Sequence, residues 1–211
     1  MQTKIFKVNS AKLDKGTLDT VVEVLRQDGV MVYPTETFYG LGANALSPPA
    51  IQKVYRLKAR EENKPLSVVI SDLEMLKGLV AEVPAVFGPL SKDFWPGPLT
   101  LVLKASPKVP PELERGTGTI GVRLPAVPWI WTLLDRAGFP LTATSANLSG
   151  EQEIADPESV IRGFKGKVDV ILDSGNTPGS RPSTVLDLTL ERPHILREGV
   201  IPEADLRRYW D

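Results

Sequence analysis

The chain has 211 residues, enough for one substantial hydrophobic core, and a single domain over residues 1–211 is expected. Its 25 basic and 26 acidic residues give a net charge of −1, so no overall field draws in nucleic acid. The absence of cysteine excludes disulfides and thiolate metal modules. With no apolar signal core in M-Q-T-K-I-F-K-V and no run of membrane-spanning length, a cytoplasmic protein is expected.

Lys4 to Val8 alternates as a short strand. Leu18, Val21, Val22 and Leu25 recur at helical spacing between Thr17 and Gln27, and Gly29 is a stop signal. Val30-Met31-Val32-Tyr33 reads as a buried strand running into Pro34-Thr35-Glu36-Thr37. Two hydroxyls around a carboxylate at a strand end suit the edge where open α/β sheets place ligands, although an ordinary turn has the same composition. Gly40-Leu41-Gly42-Ala43-Asn44-Ala45 has the form of a dinucleotide fingerprint. That motif needs a helix opening directly from the glycines, and here the next helix starts only at Ser47-Pro48. The glycines are therefore expected to serve close backbone packing in a strand or bend.

Ser47 to Arg60 is the most informative stretch. A capping hydroxyl followed by proline opens a helix, and Ile51, Val54 and Tyr55 form its core-facing stripe. Lys58 falls at the next position of that stripe, and Arg60 lies at or just past the helix end. Cations are favoured at a helix C-terminus in any case. A cation on the buried side, however, needs an anion there, and the run into Lys64-Pro65-Leu66 and an apolar strand favours a bound ligand as that anion.

Leu66 to Ile70 reads as a central strand, Leu73 to Val80 and Pro84 to Phe94 as helices, and Pro110-Pro111 as a turn. Trp95-Pro96-Gly97-Pro98 is a hard turn feeding a strand from Leu99 to Lys104. In the strand Thr119 to Pro125, alternation puts Arg123 on one face with Gly121 and Thr119, opposite Ile120, Val122 and Leu124. That face is either a polar concavity or an exposed sheet surface. Val127 to Ala137 is helical. Leu141 to Gly150 begins as a strand and passes into Thr144-Ser145-Ala146-Asn147, a cradle for phosphate or carboxylate. Pro157 to Phe164 is a helix and Val168 to Asp173 a strand. Ser183 to Leu188 and His194 to Gly199 form a strand pair, and a helix runs from Pro202 to Tyr209.

Thiol chemistry is excluded, and one histidine cannot build a hydrolytic triad with the many serines. What remains is Lys58, Arg60, Arg123 and Arg197 beside strand-end hydroxyls and an amide. That set suits an anionic substrate and phosphoryl or nucleotidyl transfer, with Mg²⁺ held mainly by the phosphates. From composition and spacing the reading ends at an anion-binding α/β domain.

Seven motifs occur in one order: Y-P-T-E-T-x-Y-G-L-G, K-A-R-x-x-x-K-P-L, P-G-P-L-T, T-I-G-V-R-L-P, T-S-A-N-L-S-G, S-T-V-L-D and L-R-E-G. Together they resemble the YrdC-type L-threonylcarbamoyl-AMP synthases over roughly residues 15 to 200. The resemblance implies a YrdC/RibB-like fold: one α/β domain whose twisted mixed β-sheet is flanked by helices around a large concave pocket, in the short form of the family. It implies a nucleotidyltransferase that joins ATP, L-threonine and bicarbonate into threonylcarbamoyl-AMP and pyrophosphate. Downstream proteins then transfer the threonylcarbamoyl group to tRNA. The family's catalytic set maps onto Lys58, Arg60, Ser145 and Asn147. Lys58, Ser145, Asn147, Arg197 and Thr119 are implied on the nucleotide side, with Thr35, Arg123 and Ser183 holding L-threonine. Arg60 is implied to bridge carboxylate and carbamate. No organic cofactor or dedicated metal ligand is implied beyond Mg²⁺ arriving with ATP. Two positions depart from the usual pattern, Glu61 where many members have proline and Val69 where many have histidine. The alternative is a YrdC-like paralogue that binds nucleotide or RNA without the synthase activity. Weak RNA binding stays open beside either reading. Carbamoyl transfer of the hydrogenase-maturation kind pairs a similar domain with cysteine-rich zinc modules, which this chain lacks.

Overall fold

The computed structural model describes residues 2–9, 11–59 and 64–210. The first half runs β1 (Lys4–Lys7), α1 (Lys15–Arg26), β2 (Met31–Pro34), β3 (Tyr39–Gly42), α2 (Pro48–Lys58), β4 (Ser67–Val69), α3 (Leu73–Lys77), α4 (Phe87–Phe94) and β5 (Leu99–Lys104). The second half runs α5 (Pro111–Glu114), β6 (Thr119–Arg123), α6 (Pro128–Ala137), β7 (Leu141–Ser145), α7 (Pro157–Phe164), β8 (Val170–Asp173), β9 (Thr184–Asp187), β10 (His194–Arg197) and α8 (Glu203–Arg207). One 10-stranded sheet of order β1-β8-β2-β3-β7-β4-β6-β5-β9-β10 carries them all. Parallel pairs (β1 with β8, β4 with β6, β5 with β9) occur beside antiparallel ones (β2 with β3, β4 with β7, β5 with β6), so the sheet is mixed as expected.

Among the readings that needed correction, the helix expected from Leu73 to Val80 stops at Lys77, and Val80 instead makes a β-bridge with Ala105. Pro110-Pro111 is not simply a turn: Pro111 occupies the first position of α5, where its missing N–H costs nothing, and Leu113 anchors that short helix in the core. The helix expected from Pro84 begins only at Phe87, because a tight turn from the Pro84 carbonyl to the Phe87 N–H precedes it.

Strand alternation divides the interior in two. Val32, Leu41, Val68, Leu101 and Val122 point to a core shared with Ile51, Val54 and Tyr55 of α2. On the opposite face Met31, Tyr33, Val69 and Leu141 meet Val21 and Leu25 of α1 and Ile130 and Leu133 of α6. These two helices cover only part of that face. Over the rest of it lies a cavity of about 920 Å³.

Glycines keep this face low. The Tyr33 ring lies against Gly42, where a Cβ would stand 2.9 Å from Cε1, which accounts for the glycine pair without a dinucleotide. At Gly121 in the cavity floor, a Cβ would come 2.5 Å from Ser67 Oγ. Among the described residues no helix is long and apolar enough to cross a membrane.

Candidate active site

The cavity is lined from both halves of the sheet, with Thr35, Thr119, Arg123, Ser145, Ser183 and Arg197 all on its wall. Sequence separations of up to 162 residues thus close to a single hollow, and each side chain gets there by alternation or by standing at a strand end.

Arg123 is the last residue of β6 and faces the hollow beside Gly121 and Thr119, as alternation required. Its Nε donates to the Gly97 carbonyl at 3.1 Å, so the Pro96-Gly97-Pro98 turn has a direct part in orienting it. Its Nη2 lies 2.5 Å from Oε1 of Glu36, an ion pair set off the line of a hydrogen bond, with side chains only 10% and 18% exposed. The Ala126 N–H donates to the same Glu36 oxygen at 3.0 Å. At the end of β2, Thr35 Oγ1 donates to the Phe38 carbonyl and lies 3.0 Å from Thr37 Oγ1.

The far wall belongs to β9 and β10. Arg197 donates from Nε and Nη2 to the Ser183 carbonyl and from Nη2 to Ser183 Oγ at 3.1 Å, while Thr100 Oγ1 lies 3.1 Å from that same hydroxyl. Gly199 permits this approach, because a Cβ there would fall 2.1 Å from the Pro182 carbonyl oxygen. Thr119 Oγ1 donates to Thr117 Oγ1 at 3.0 Å.

Lys58 occupies the stripe position read from the sequence and is 1% exposed. Its ammonium donates to the Ser145 carbonyl at 2.6 Å, the Asn147 carbonyl at 2.9 Å and Asn147 Oδ1 at 3.0 Å. Ser145 Oγ donates to the same Oδ1 at 2.6 Å, and Asn147 Nδ2 donates to the Glu151 carbonyl. Lys58, Ser145 and Asn147 are therefore one cluster at the end of β7. Of the three, Ser145 is on the cavity wall, while Lys58 and Asn147 stand buried behind it. Arg60 lies outside the described residues. His194 is exposed on β10 and away from the hollow.

Electrostatically, the hollow offers fixed donors from Arg123, Ser183 and Arg197. Burial pushes the Tyr33 phenol well above its ordinary range, opposed by the Arg123 charge and reinforced by that of Glu36, so Tyr33 stays neutral. Among the described residues no three His, Asp or Glu side chains converge as a metal site. Such an arrangement is chemically suited to binding, positioning and neutralising anions.

Against known proteins, the chain matches the Sua5/YciO/YrdC family model, described as "Telomere recombination", over residues 23–199. The chain belongs to the Sua5/YciO/YrdC family. The threonylcarbamoyl-AMP synthase of Pyrococcus abyssi is 39% identical over 184 residues, covering 87% of this chain and 54% of that protein. A putative threonylcarbamoyl-AMP synthase of Methanocaldococcus jannaschii is 35% identical and matches at 97% and 96% of the two lengths. Crystalline P. abyssi Sua5 complexed with L-threonine superposes with a TM-score of 0.93 at 36% identity, over 98% of this chain and 61% of the other. Escherichia coli YciO superposes with a TM-score of 0.87 at 31% identity over 95% and 97%. The chain spans about half the length of the first curated Sua5/YciO/YrdC relatives it matches.

Three features of this hollow are not evident from the sequence. Glu36 reads in the sequence as a carboxylate between hydroxyls, and its partner Arg123 is 87 positions away. The Gly97 carbonyl sat in a turn to which no chemistry was ascribed. Thr100, 4% exposed, is the most nearly legible of the three: Leu99, Leu101 and Leu103 take the core face of β5, which turns Thr100 to the hollow.

Proposed function

We propose that this chain is an L-threonylcarbamoyladenylate synthase, a nucleotidyltransferase acting in the cytoplasm. The amine of L-threonine takes up bicarbonate-derived carbon dioxide and loses a proton to give a carbamate. A carbamate oxygen then attacks the α-phosphorus of ATP, a new P–O bond forms, and the bond to the β-phosphate oxygen breaks to release pyrophosphate. The carbamate and triphosphate are both anionic and must be brought together with water held off, so binding and charge neutralisation carry the reaction.

The roles are those the family resemblance implies, supported by the shared hollow that Thr35, Thr119, Arg123, Ser145, Ser183 and Arg197 line. Arg123, Thr35 and Ser183 hold L-threonine. Ser145 and Thr119 face the nucleotide, with Lys58 and Asn147 fixing the turn that presents Ser145 and its N–H groups to the phosphates. Arg197, 3.1 Å from Ser183 Oγ, is assigned to the nucleotide side. Arg60 is assigned to the carboxylate and carbamate. Mg²⁺ arrives on the triphosphate oxygens, whose charge it offsets, and no organic cofactor takes part. The product passes to proteins that modify tRNA.

The superposition on P. abyssi Sua5 complexed with L-threonine carries this reading, because it spans nearly this whole chain. The likeness to E. coli YciO, an uncharacterised protein 32% identical over 200 residues, favours a second one, a paralogue that binds nucleotide or RNA without making this product. One assay separates them. Pyrophosphate release from ATP is expected only when L-threonine and bicarbonate are both present. Release that ignores either component, or none at all, contradicts the synthase.

A further inference from the structure

We propose that Glu36 is a specificity-determining residue: its carboxylate reserves Arg123 for the singly charged carboxylate of the amino acid and keeps the triphosphate out of that half of the cavity. This role rests on the synthase reading of the site.

A triphosphate and an amino acid must share one hollow of about 920 Å³ without exchanging places. A bare guanidinium attracts a triphosphate more strongly than a carboxylate, because Coulomb attraction grows with the charge on the anion. Arg123 is not bare. Glu36 Oε1 stands 2.5 Å from its Nη2, and with side chains 18% and 10% exposed the pair is weakly screened by salt. Glu36 is itself held by the Ala126 N–H, and its other oxygen, Oε2, is buried and makes no hydrogen bond among the described residues. With Nε given to the Gly97 carbonyl, Nη1 is the nitrogen of Arg123 that has neither a hydrogen bond nor an ion pair among the described residues.

The pair therefore presents directional donors with most of the positive field cancelled. A zwitterionic amino acid accepts from those donors, and its ammonium offsets the repulsion between its carboxylate and Glu36. A polyphosphate brings several negative charges against a fixed, desolvated carboxylate and has no compensating cation of its own. Like-charge juxtaposition of this kind rejects the wrong partner more than it strengthens the right one. A carboxylate that only fixed the rotamer of Arg123 would weaken L-threonine binding when removed but would not admit phosphate.

The test is calorimetric titration of L-threonine with and without inorganic triphosphate. In the unaltered protein, triphosphate is expected to shift the apparent Kd for L-threonine by less than about twofold. In Glu36→Gln, which keeps an acceptor for Ala126 but loses the charge, triphosphate is expected to compete and raise it by about tenfold or more. Weakened L-threonine binding in Glu36→Gln without competition overturns the proposal. So does displacement of L-threonine by triphosphate from the unaltered protein, a measurement that needs no variant to fold. Failure of the unaltered protein to bind L-threonine at all removes the synthase reading itself, and the proposal with it.

Discussion

Lys58 and Asn147 lie 89 positions apart in the chain, and the ammonium of one donates to the side-chain and main-chain oxygens of the other. With the Ser145 carbonyl as third acceptor, the bonds tie the last turn of α2 to the turn after β7. The Ser149 N–H donates back to the Lys58 carbonyl at 2.9 Å. The lysine is thus as much a brace as a charge.

Lys58→Met keeps the length of the side chain and removes the donors, leaving buried oxygens short of partners. We expect a loss of about 2–4 kcal/mol of stability, read as a fall in Tm on the order of 5–10 °C. Pyrophosphate release should fall about 100-fold or more, since the turn that offers Ser145 is no longer held. A coupling above about 0.5 kcal/mol between Lys58→Met and Asn147→Ala in a double-mutant cycle would establish the brace, and strict additivity would refute it.

Arg123→Lys tests planarity against charge. A lysine cannot donate at once to the Gly97 carbonyl, to Glu36 and into the hollow in the fixed fork that guanidinium provides. The KM for L-threonine should rise about 10- to 100-fold while the KM for ATP changes by less than about threefold. A rise confined to the KM for ATP would place Arg123 on the nucleotide instead.

Gly121→Val should fill the floor of the hollow. Its Cβ would stand 2.5 Å from Ser67 Oγ and 3.3 Å from Thr100 Cγ2, so β4 and β5 must shift or the side chain must occupy ligand space. A stability loss of about 1–3 kcal/mol is expected together with loss of both ligands in titration. A variant that binds both normally would show that the floor is not part of the site.

Much of this was legible in the chain itself, and the reason is periodicity. Ile51, Val54, Tyr55 and Lys58 share one face of α2 because 3.6 residues make a turn, and the structure buries all four. Period-two alternation likewise turned Thr119, Gly121 and Arg123 to a common face, and the structure shows that this face is the concavity rather than open sheet. The partners of these residues were not legible. Glu36 meets Arg123 only because the end of β2 and the end of β6 come together across the sheet, and no local pattern encodes that approach. For the same reason the sequence could not say that three carbonyl oxygens of the β7 turn accept from Lys58, where a ligand anion had been expected to receive it. Helix α5 was missed because its two prolines carry the composition of a turn, while the burial of Leu113 that holds the helix is a tertiary fact.

The central claim is that one hollow holds a triphosphate and an amino acid together. Calorimetric titration with ATP and L-threonine, each alone and each in the presence of the other, tests it directly. The account predicts that each ligand binds at about one equivalent whether or not the other is already there. Mutual exclusion of the two, or binding of ATP with no response to L-threonine, would contradict it.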